Sequence, residues 1–243
     1  MSWPAVDWST APIVSSAELR AADAGALNRF GIQPLQLMEV AGWQVSRFID
    51  AYLDGAAGKR ITVVAGSGNN GGDALCVARF LQRRGSTVVV SRVPARDPTS
   101  LAAHQAKSVQ ALGVPISVAP GGLDQPADLV VDGLFGTGIR PPLRAPAPAI
   151  ISAINRTGAP VIAIDVPSGM DADDGAGADQ AVRATATVTL AAPKAGLRAQ
   201  AVVGRVFLAD IGMPHALFPA AGPALQALFA HGDLVELVEA ERR

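Results

Sequence analysis

At 243 residues the chain is long enough for one large α/β domain with a sizeable core, and its formal net charge of -1 excludes a general nucleic-acid surface or a patch for anionic membranes. Aromatic residues make up only 5%, too few for a platform that stacks single-stranded bases, and the one cysteine, Cys76, excludes an intrachain disulfide and fits a reducing compartment. The start of the chain lacks a basic segment followed by an apolar core, and no apolar run approaches the roughly 18 residues of a membrane span, so a cytoplasmic protein without a membrane partner is expected.

Residues 1–14 read as a loose N-terminal arm. Ser15 and Glu18 then form a Ser-x-x-Glu capping pattern, followed by a helical stripe of Leu19, Ala22, Ala26 and Leu27. A second helix is predicted over Leu35 to Leu53, with Leu37, Met38, Ala41, Val45, Phe48 and Ile49 on its apolar face. Strand patterns follow at Ile61–Ala65, Thr87–Ser91, Ile116–Val118, Leu129–Asp132, Val161–Asp165, Thr187–Leu190 and Val206–Leu208. Helical patterns fall at Ala74–Arg84, Leu101–Leu112 and Ala147–Asn155. The early strands are nearly continuous Val and Ile runs, the mark of a parallel sheet covered by helices on both faces. The last two strand patterns have no clear helix between them, so that edge is expected to be mixed or antiparallel. Residues 216–243 are expected to form a C-terminal helix or tail. No repeat or linker divides the chain, which predicts a single domain over 1–243.

Four loops that follow predicted strands carry the polar residues of interest. The first, Gly66-Ser67-Gly68-Asn69-Asn70-Gly71-Gly72-Asp73, matches Gly-x-Gly-x-x-Gly and leads into a helix, an arrangement that offers backbone N–H groups to an anion. It lacks the acid that usually follows about 20 residues on for a ribose; Arg92 stands there and could meet a 2′-phosphate. Asp73 at the helix start would repel a phosphate, so it reads either as a helix N-cap or as a working carboxylate. Asn69 and Asn70 read either as turn residues or as ligand contacts. In the second loop, Asp132-Gly133-Leu134-Phe135-Gly136-Thr137-Gly138-Ile139, an acid ends an apolar strand, a costly place for a carboxylate unless it is paired, coordinated or caps the turn. The third, Asp165-Val166-Pro167-Ser168-Gly169, repeats that pattern and adds a hydroxyl. No histidine lies near Ser168, which disfavours a Ser/His hydrolase. The fourth holds Lys194 between Pro193 and Ala195-Gly196, one of only three lysines in a chain that otherwise uses arginine, and reads as a site group or as a surface lysine.

In an open parallel sheet the carboxyl ends of the strands converge on one crevice, which would gather Asn69, Asn70, Asp73, Asp132, Asp165, Ser168 and Lys194. Amide and hydroxyl oxygens with a single carboxylate suit a weakly charged cation such as K⁺ rather than zinc or calcium.

These runs, with Leu37-Met38-Glu39-Val40-Ala41-Gly42 and Ala209-Asp210-Ile211-Gly212-Met213-Pro214, closely resemble the NAD(P)H-hydrate epimerase family, the YjeF N-terminal domain, across about residues 15 to 215. The resemblance implies a Rossmann-like three-layer α/β/α sandwich with a mostly parallel sheet, often homodimeric. It implies an isomerase that interconverts the R and S forms of hydrated NADH or NADPH, damaged cofactors with water added to the nicotinamide ring. The S form would pass to an NAD(P)H-hydrate dehydratase, sometimes fused C-terminal to this domain. By the same resemblance the hydrated cofactor would meet Asn69, Asn70, Gly71, Gly72, Asp73, Gly136, Thr137, Gly138, Ile139, Arg140, Pro141, Pro142 and Asp165. One K⁺ per subunit would be held by Asn70, Asp132 and Ser168. Gly133 departs from the alanine of many members, a change expected to be harmless.

Inverting a carbon that carries OH beside a ring nitrogen can proceed by loss of the hydroxyl and return of water to the other face, which needs an acid and a base. Asp165 and Asp73 are the candidates, with Asp165 the first choice and Lys194 a third catalytic group that orients water or keeps a carboxylate ionised. Two rival functions use the same residues: an NADP-dependent oxidoreductase reading Arg92, and a non-catalytic nucleotide- or protein-binding module. Asn70, Asp132, Asp165 and Ser168 together favour the enzyme.

Overall fold

In the computed structural model, which describes residues 3–239, the apolar runs become strands β1 (Ala5–Asp7), β2 (Arg60–Ala65), β3 (Thr87–Arg92), β4 (Ile116–Val118), β5 (Leu129–Gly133), β6 (Val161–Ile164), β7 (Ala186–Leu190), β8 (Arg205–Ala209) and β9 (Leu234–Val238). They form one sheet in the order β1-β9-β8-β7-β6-β5-β2-β3-β4. Every pair is parallel except β8 with β9. The helices are α1 (Ser16–Phe30), α2 (Pro34–Tyr52), α3 (Asn69–Arg83), α4 (Leu101–Ala111), α5 (Ala147–Arg156) and α6 (Gly222–Phe229). None of the described helices is long and apolar enough to cross a membrane.

The period-2 alternation of each strand decides the layers. Ile61, Val63, Leu129, Val131, Ile162 and Ile164 point to one face, where α1 to α4 bury Leu19, Val45, Leu75 and Val109. Val64, Val130 and Val161 point to the other, where α5 supplies Ile150, Ile151 and Ile154. Farther along that second face irregular segments take the place of a helix: Trp8, Met170, Leu197 and Val203 cover Val206, Leu208, Val235 and Leu237. The result is the three-layer α/β/α sandwich with a mostly parallel sheet.

Three local readings change. The segment expected as a loose arm contributes β1, paired with β9, and buries Trp8 at the sheet edge. The mixed edge exists but lies one strand later than expected, because Thr187 pairs Val206 in parallel and the reversal comes with β9, a strand inside the expected tail. Helix α3 begins at Asn69, not at Ala74: Gly68 takes an extended N-cap conformation, so Asn69 to Asp73 are its first turns. Asp73 is therefore inside the helix, and the N-cap reading is set aside.

Strands β3 and β4 leave β2 on one side, and β5 to β8 leave it on the other. The loops after β2 and β5 thus diverge at the carboxyl edge, which opens a crevice at this switch of direction. Helix α1 is drawn over it by its capping box at Ser15 and Glu18 and by two long-range bonds: the Val14 N–H donates to the Pro193 carbonyl (2.9 Å) and the Ser16 N–H to Asp173 Oδ1 (2.7 Å).

Candidate active site

The crevice is a cleft of about 690 Å³, within the range of small-molecule sites. Its floor is the run of strand ends, one helical wall is α1 and α2, and the loop after β5 closes the other side. Asn69, Asn70, Asp73, Gly136, Thr137, Gly138, Ile139, Asp165 and Lys194 all line it.

Two glycines make the opening turn possible by close approach. A Cβ on Gly66 would stand 1.9 Å from the Leu134 carbonyl oxygen, and one on Gly71 would stand 1.9 Å from that of Gly66. The turn is packed on itself and on the loop after β5, so Gly71 and Gly72 lie behind the cleft wall, while Gly68 faces open space.

Asp165 follows β6 with a left-handed φ of 69°, an uncommon conformation for a residue with a Cβ, and Ala191 nearby has φ 65°. Lys194 is 1% exposed and all three of its ammonium protons are placed: on Asp165 Oδ1 (2.5 Å), Thr189 Oγ1 (2.9 Å) and the Leu190 carbonyl (2.8 Å). The Leu190 N–H (3.3 Å) and Thr189 hydroxyl (3.4 Å) add weak bonds to the same Oδ1. The second oxygen, Oδ2, is left toward Gly136, where a Cβ would come within 3.0 Å of it. Glycine at 136 keeps that oxygen reachable. One carboxylate oxygen is therefore fixed by a buried cation and the other is presented to the cleft.

Asp73 is buried, and its carboxyl has no hydrogen-bond partner among the described residues. Burial holds its carboxyl well above the ordinary carboxylate range, with Asp165 and then Asp23 adding to the effect. Asp23, on α1, is a cleft residue that sequence reading missed. It is exposed by surface area, yet its carboxyl lies low enough between the walls for burial, and then Asp165, to raise its pKa while Lys194 opposes. The only sequence signal was a polar residue next to the apolar stripe of α1, which is also what a solvated face looks like.

Beneath the cleft lies a second cluster. Asp132 is fully buried; its Oδ1 accepts from the Ser168 hydroxyl (2.7 Å) and the Leu134 N–H (3.2 Å), and its Oδ2 from the Ser168 N–H (2.8 Å). Burial pushes its carboxyl up to about 6, against the lowering effect of these donors. The Phe135 peptide joins the groups: its N–H donates to Ser168 Oγ (2.8 Å) and its carbonyl accepts from Asn70 Nδ2 (2.8 Å). Asn70 Nδ2 also reaches the Ile164 carbonyl (3.2 Å), and Asn70 Oδ1 is buried with no partner among the described residues. An orphaned amide oxygen beside a hydroxyl, a carbonyl and one carboxylate is a donor set that fits a weakly charged cation. Among the described residues no group of three or more His, Cys, Asp or Glu side chains offers a metal site.

The structure does not bring every expected residue to the cleft. Arg140, Pro141 and Pro142 lie outside its lining, and Pro141 and Pro142 line a smaller cavity of about 220 Å³ with Leu143, Pro148 and Gly169. Arg92 is outside the cleft as well, with a buried Nε that has no partner among the described residues, which removes the main support for the oxidoreductase reading. Cys76 is buried and burial raises its thiol, so it is inert. Gly133 allows a close contact between β5 and α3, where a Cβ would sit 2.4 Å from the Ala74 Cβ.

Comparison with known proteins adds relatives to this geometry. The family described as YjeF-related protein N-terminus matches residues 34–196. The chain is similar to the NAD(P)H-hydrate epimerase of Limosilactobacillus fermentum, 38% identical over 205 residues that cover 83% of this chain and 97% of that one. It is 36% identical over 221 residues to the bifunctional NAD(P)H-hydrate repair enzyme Nnr of Moorella thermoacetica, covering 84% of this chain and 41% of that relative. The crystal structure of yeast ynu0, YNL200c, superposes with a TM-score of 0.77 at 27% identity, covering 86% of this chain and 93% of that one.

Proposed function

Because the chain belongs to the family of YjeF-related protein N-termini, we propose that it is an NAD(P)H-hydrate epimerase whose chemistry is carried by Asp165, Asp73 and Lys194. The observation that carries the assignment is the split state of Asp165, with one oxygen tied to the buried Lys194 ammonium and the other open to a cleft that also holds the desolvated Asp73.

The reaction follows from these environments. Asp73, kept protonated by burial, gives its proton to the departing hydroxyl of the hydrated nicotinamide. The C–O bond breaks as water leaves, and the ring-nitrogen lone pair forms the planar iminium. Asp165, with one oxygen bound to the Lys194 ammonium and the other facing the cleft, removes a proton from a water that adds to the opposite face, and the π pair returns to nitrogen. Each proton-transfer group of this kind is worth roughly 10²–10⁴ in rate. Asn69, Gly136, Thr137, Gly138 and Ile139 hold the hydrated cofactor, with the N-terminus of α3 suited to its phosphates.

Asn70, Asp132 and Ser168 hold K⁺ in this reading, on the strength of the orphaned Asn70 Oδ1. When bound there, K⁺ would supply positive charge beside the buried Asp132 carboxylate. By family resemblance the enzyme works as a homodimer and hands the S form to a dehydratase.

The test is to follow the R/S ratio of hydrated NADPH by chromatography with and without the protein. Acceleration over the spontaneous rate, lost in Asp165→Asn, is expected. No acceleration by the wild type would remove the function, and full activity in the variant would remove Asp165 from its role.

A further inference from the structure

We propose that Asp23 is a proton relay of this site, carrying the proton that Asp165 acquires in each inversion back to Asp73 before the next. The proposal rests on the epimerase reading and extends it to a residue with no assigned role.

The need for a relay comes from the proton balance of inversion. One turnover begins with Asp73 protonated and Asp165 ionised, and it ends with Asp73 ionised and Asp165 protonated. Water has left and water has returned, so nothing in the substrate resets the pair. A further turnover in the same direction requires one proton to move from Asp165 to Asp73. The O–H bond on Asp165 breaks and an O–H bond forms on Asp73, with no change in oxidation state.

Asp73 is poorly placed to recover that proton alone. It is buried in the first turns of α3, and its carboxyl makes no hydrogen bond among the described residues. Asp23 differs in the two ways that matter. It comes from another wall, α1, and it keeps exposed surface while lining the same cleft. The Val14 N–H to the Pro193 carbonyl ties that wall to the Lys194 loop, and the Ser16 N–H to Asp173 ties it to the segment after β6. The electrostatics agree with the placement, since Asp165 raises Asp23 and both Asp165 and Asp23 raise Asp73. The other charged groups facing this space are Lys194, whose protons are all engaged, and Arg20 on α1. Asp23 is thus the carboxyl placed to exchange protons with both Asp165 and Asp73 and with solvent.

Asp23→Asn separates the relay from the chemistry. With enzyme in excess over R-hydrate, a single inversion in the variant is expected within about twofold of the wild type, because the starting protonation state is set before mixing. With substrate in excess, kcat is expected to fall by at least about tenfold, as proton return becomes limiting. Added formate or imidazole buffer is expected to restore kcat with rising concentration, and Asp23→Glu to retain most of it. An unchanged kcat in Asp23→Asn would overturn the proposal. So would equal losses in single and multiple turnovers without buffer rescue, the pattern of a purely structural residue. A wild-type protein that does not accelerate inversion would instead refute the epimerase reading itself.

Discussion

Asp132 near the end of β5 and Asp165 just past β6 stand one strand apart, and both carboxylates are buried by the same fold. Asp132 is enclosed by neutral donors, the Ser168 hydroxyl and two backbone N–H groups, and burial still lifts its carboxyl to about 6. Asp165 has a full cation on one oxygen and the cleft beside the other. The difference shows that an acid at a strand end is only a position. Its environment is decided by what the next loop brings: Ser168 leaves a charge deficit that a cation could fill, whereas Lys194 supplies the charge from within the chain and leaves the other oxygen toward the cleft.

The strongest way to break this contrast is to remove the cation. Lys194→Met should lose about 3–5 kcal/mol in urea unfolding, because it strands a buried carboxylate. The lower end is expected, since Asp165 keeps some access to the cleft. The double variant Lys194→Met/Asp165→Asn should recover a large part of that loss. Strictly additive losses would mean that the pair is not coupled and that the comparison with Asp132 is misdrawn.

Much of this contrast is legible in the sequence. The apolar runs with their terminal acids located both aspartates, and parallel-sheet logic placed Asn69, Asn70, Asp73, Asp165 and Lys194 around one cleft. Pairing was not legible, because the bond from Lys194 to Asp165 spans 29 positions and depends on the order of β6 and β7. The start of α3 was misjudged because Asn-Asn-Gly-Gly has low helix propensity, and close packing of Gly71 against the Gly66 carbonyl overrides it. Asp23 was invisible because an acid beside an apolar stripe resembles any solvated helix face. Pro141 and Pro142 sit next to cleft residues in the chain, but the loop turns them toward a separate cavity.

A second comparison sets Asp73 against Asp165, and pH sharpens it. The raised pKa of Asp73 keeps its proton above the ordinary carboxylate range, so epimerisation should decline as pH rises through the folded-state value. The fold should weaken in the same direction: the stability from this group is complete below its unfolded pKa and is lost as pH rises through the raised one. Asp73→Asn should lower the rate by about 10²-fold and flatten the part of the stability profile due to this group. A rate profile in the variant that keeps both its height and its alkaline decline would assign the acid elsewhere.

At Asp132 the effects should be smaller and depend on the salt. Ser168→Ala removes the hydroxyl donor and should cost about 1–3 kcal/mol. KCl should raise the wild-type Tm more than an equal ionic strength of a bulky organic cation, since a ligand of the folded state stabilises it by mass action. Asn70→Ala should abolish the K⁺-specific part by removing the orphaned oxygen. Equal Tm values in the two salts would leave Asp132 a purely hydrogen-bonded structural acid.

The smallest change tests whether the two acids share a mechanical frame. Gly133 lies between Asp132 and the loop after β5, and its missing side chain lets β5 press on Ala74 of α3. A methyl group there meets the Ala74 Cβ at 2.4 Å and the Asn70 carbonyl oxygen at 3.0 Å, both rigid parts of the helix. Gly133→Ala should therefore push α3 away from the sheet and cost about 1–2 kcal/mol, the lower part of the range for overpacking. Because α3 carries both Asn70 and Asp73, the displacement should lower epimerisation and weaken the K⁺ effect on Tm together. Adding Ala74→Gly removes the clash but places a glycine inside the helix, which by itself costs about 0.5–1 kcal/mol. The double variant should regain activity and the K⁺ response while recovering only part of the stability. A Gly133→Ala protein with wild-type stability would mean that α3 accommodates the methyl freely and that the position of Asp73 does not depend on this contact.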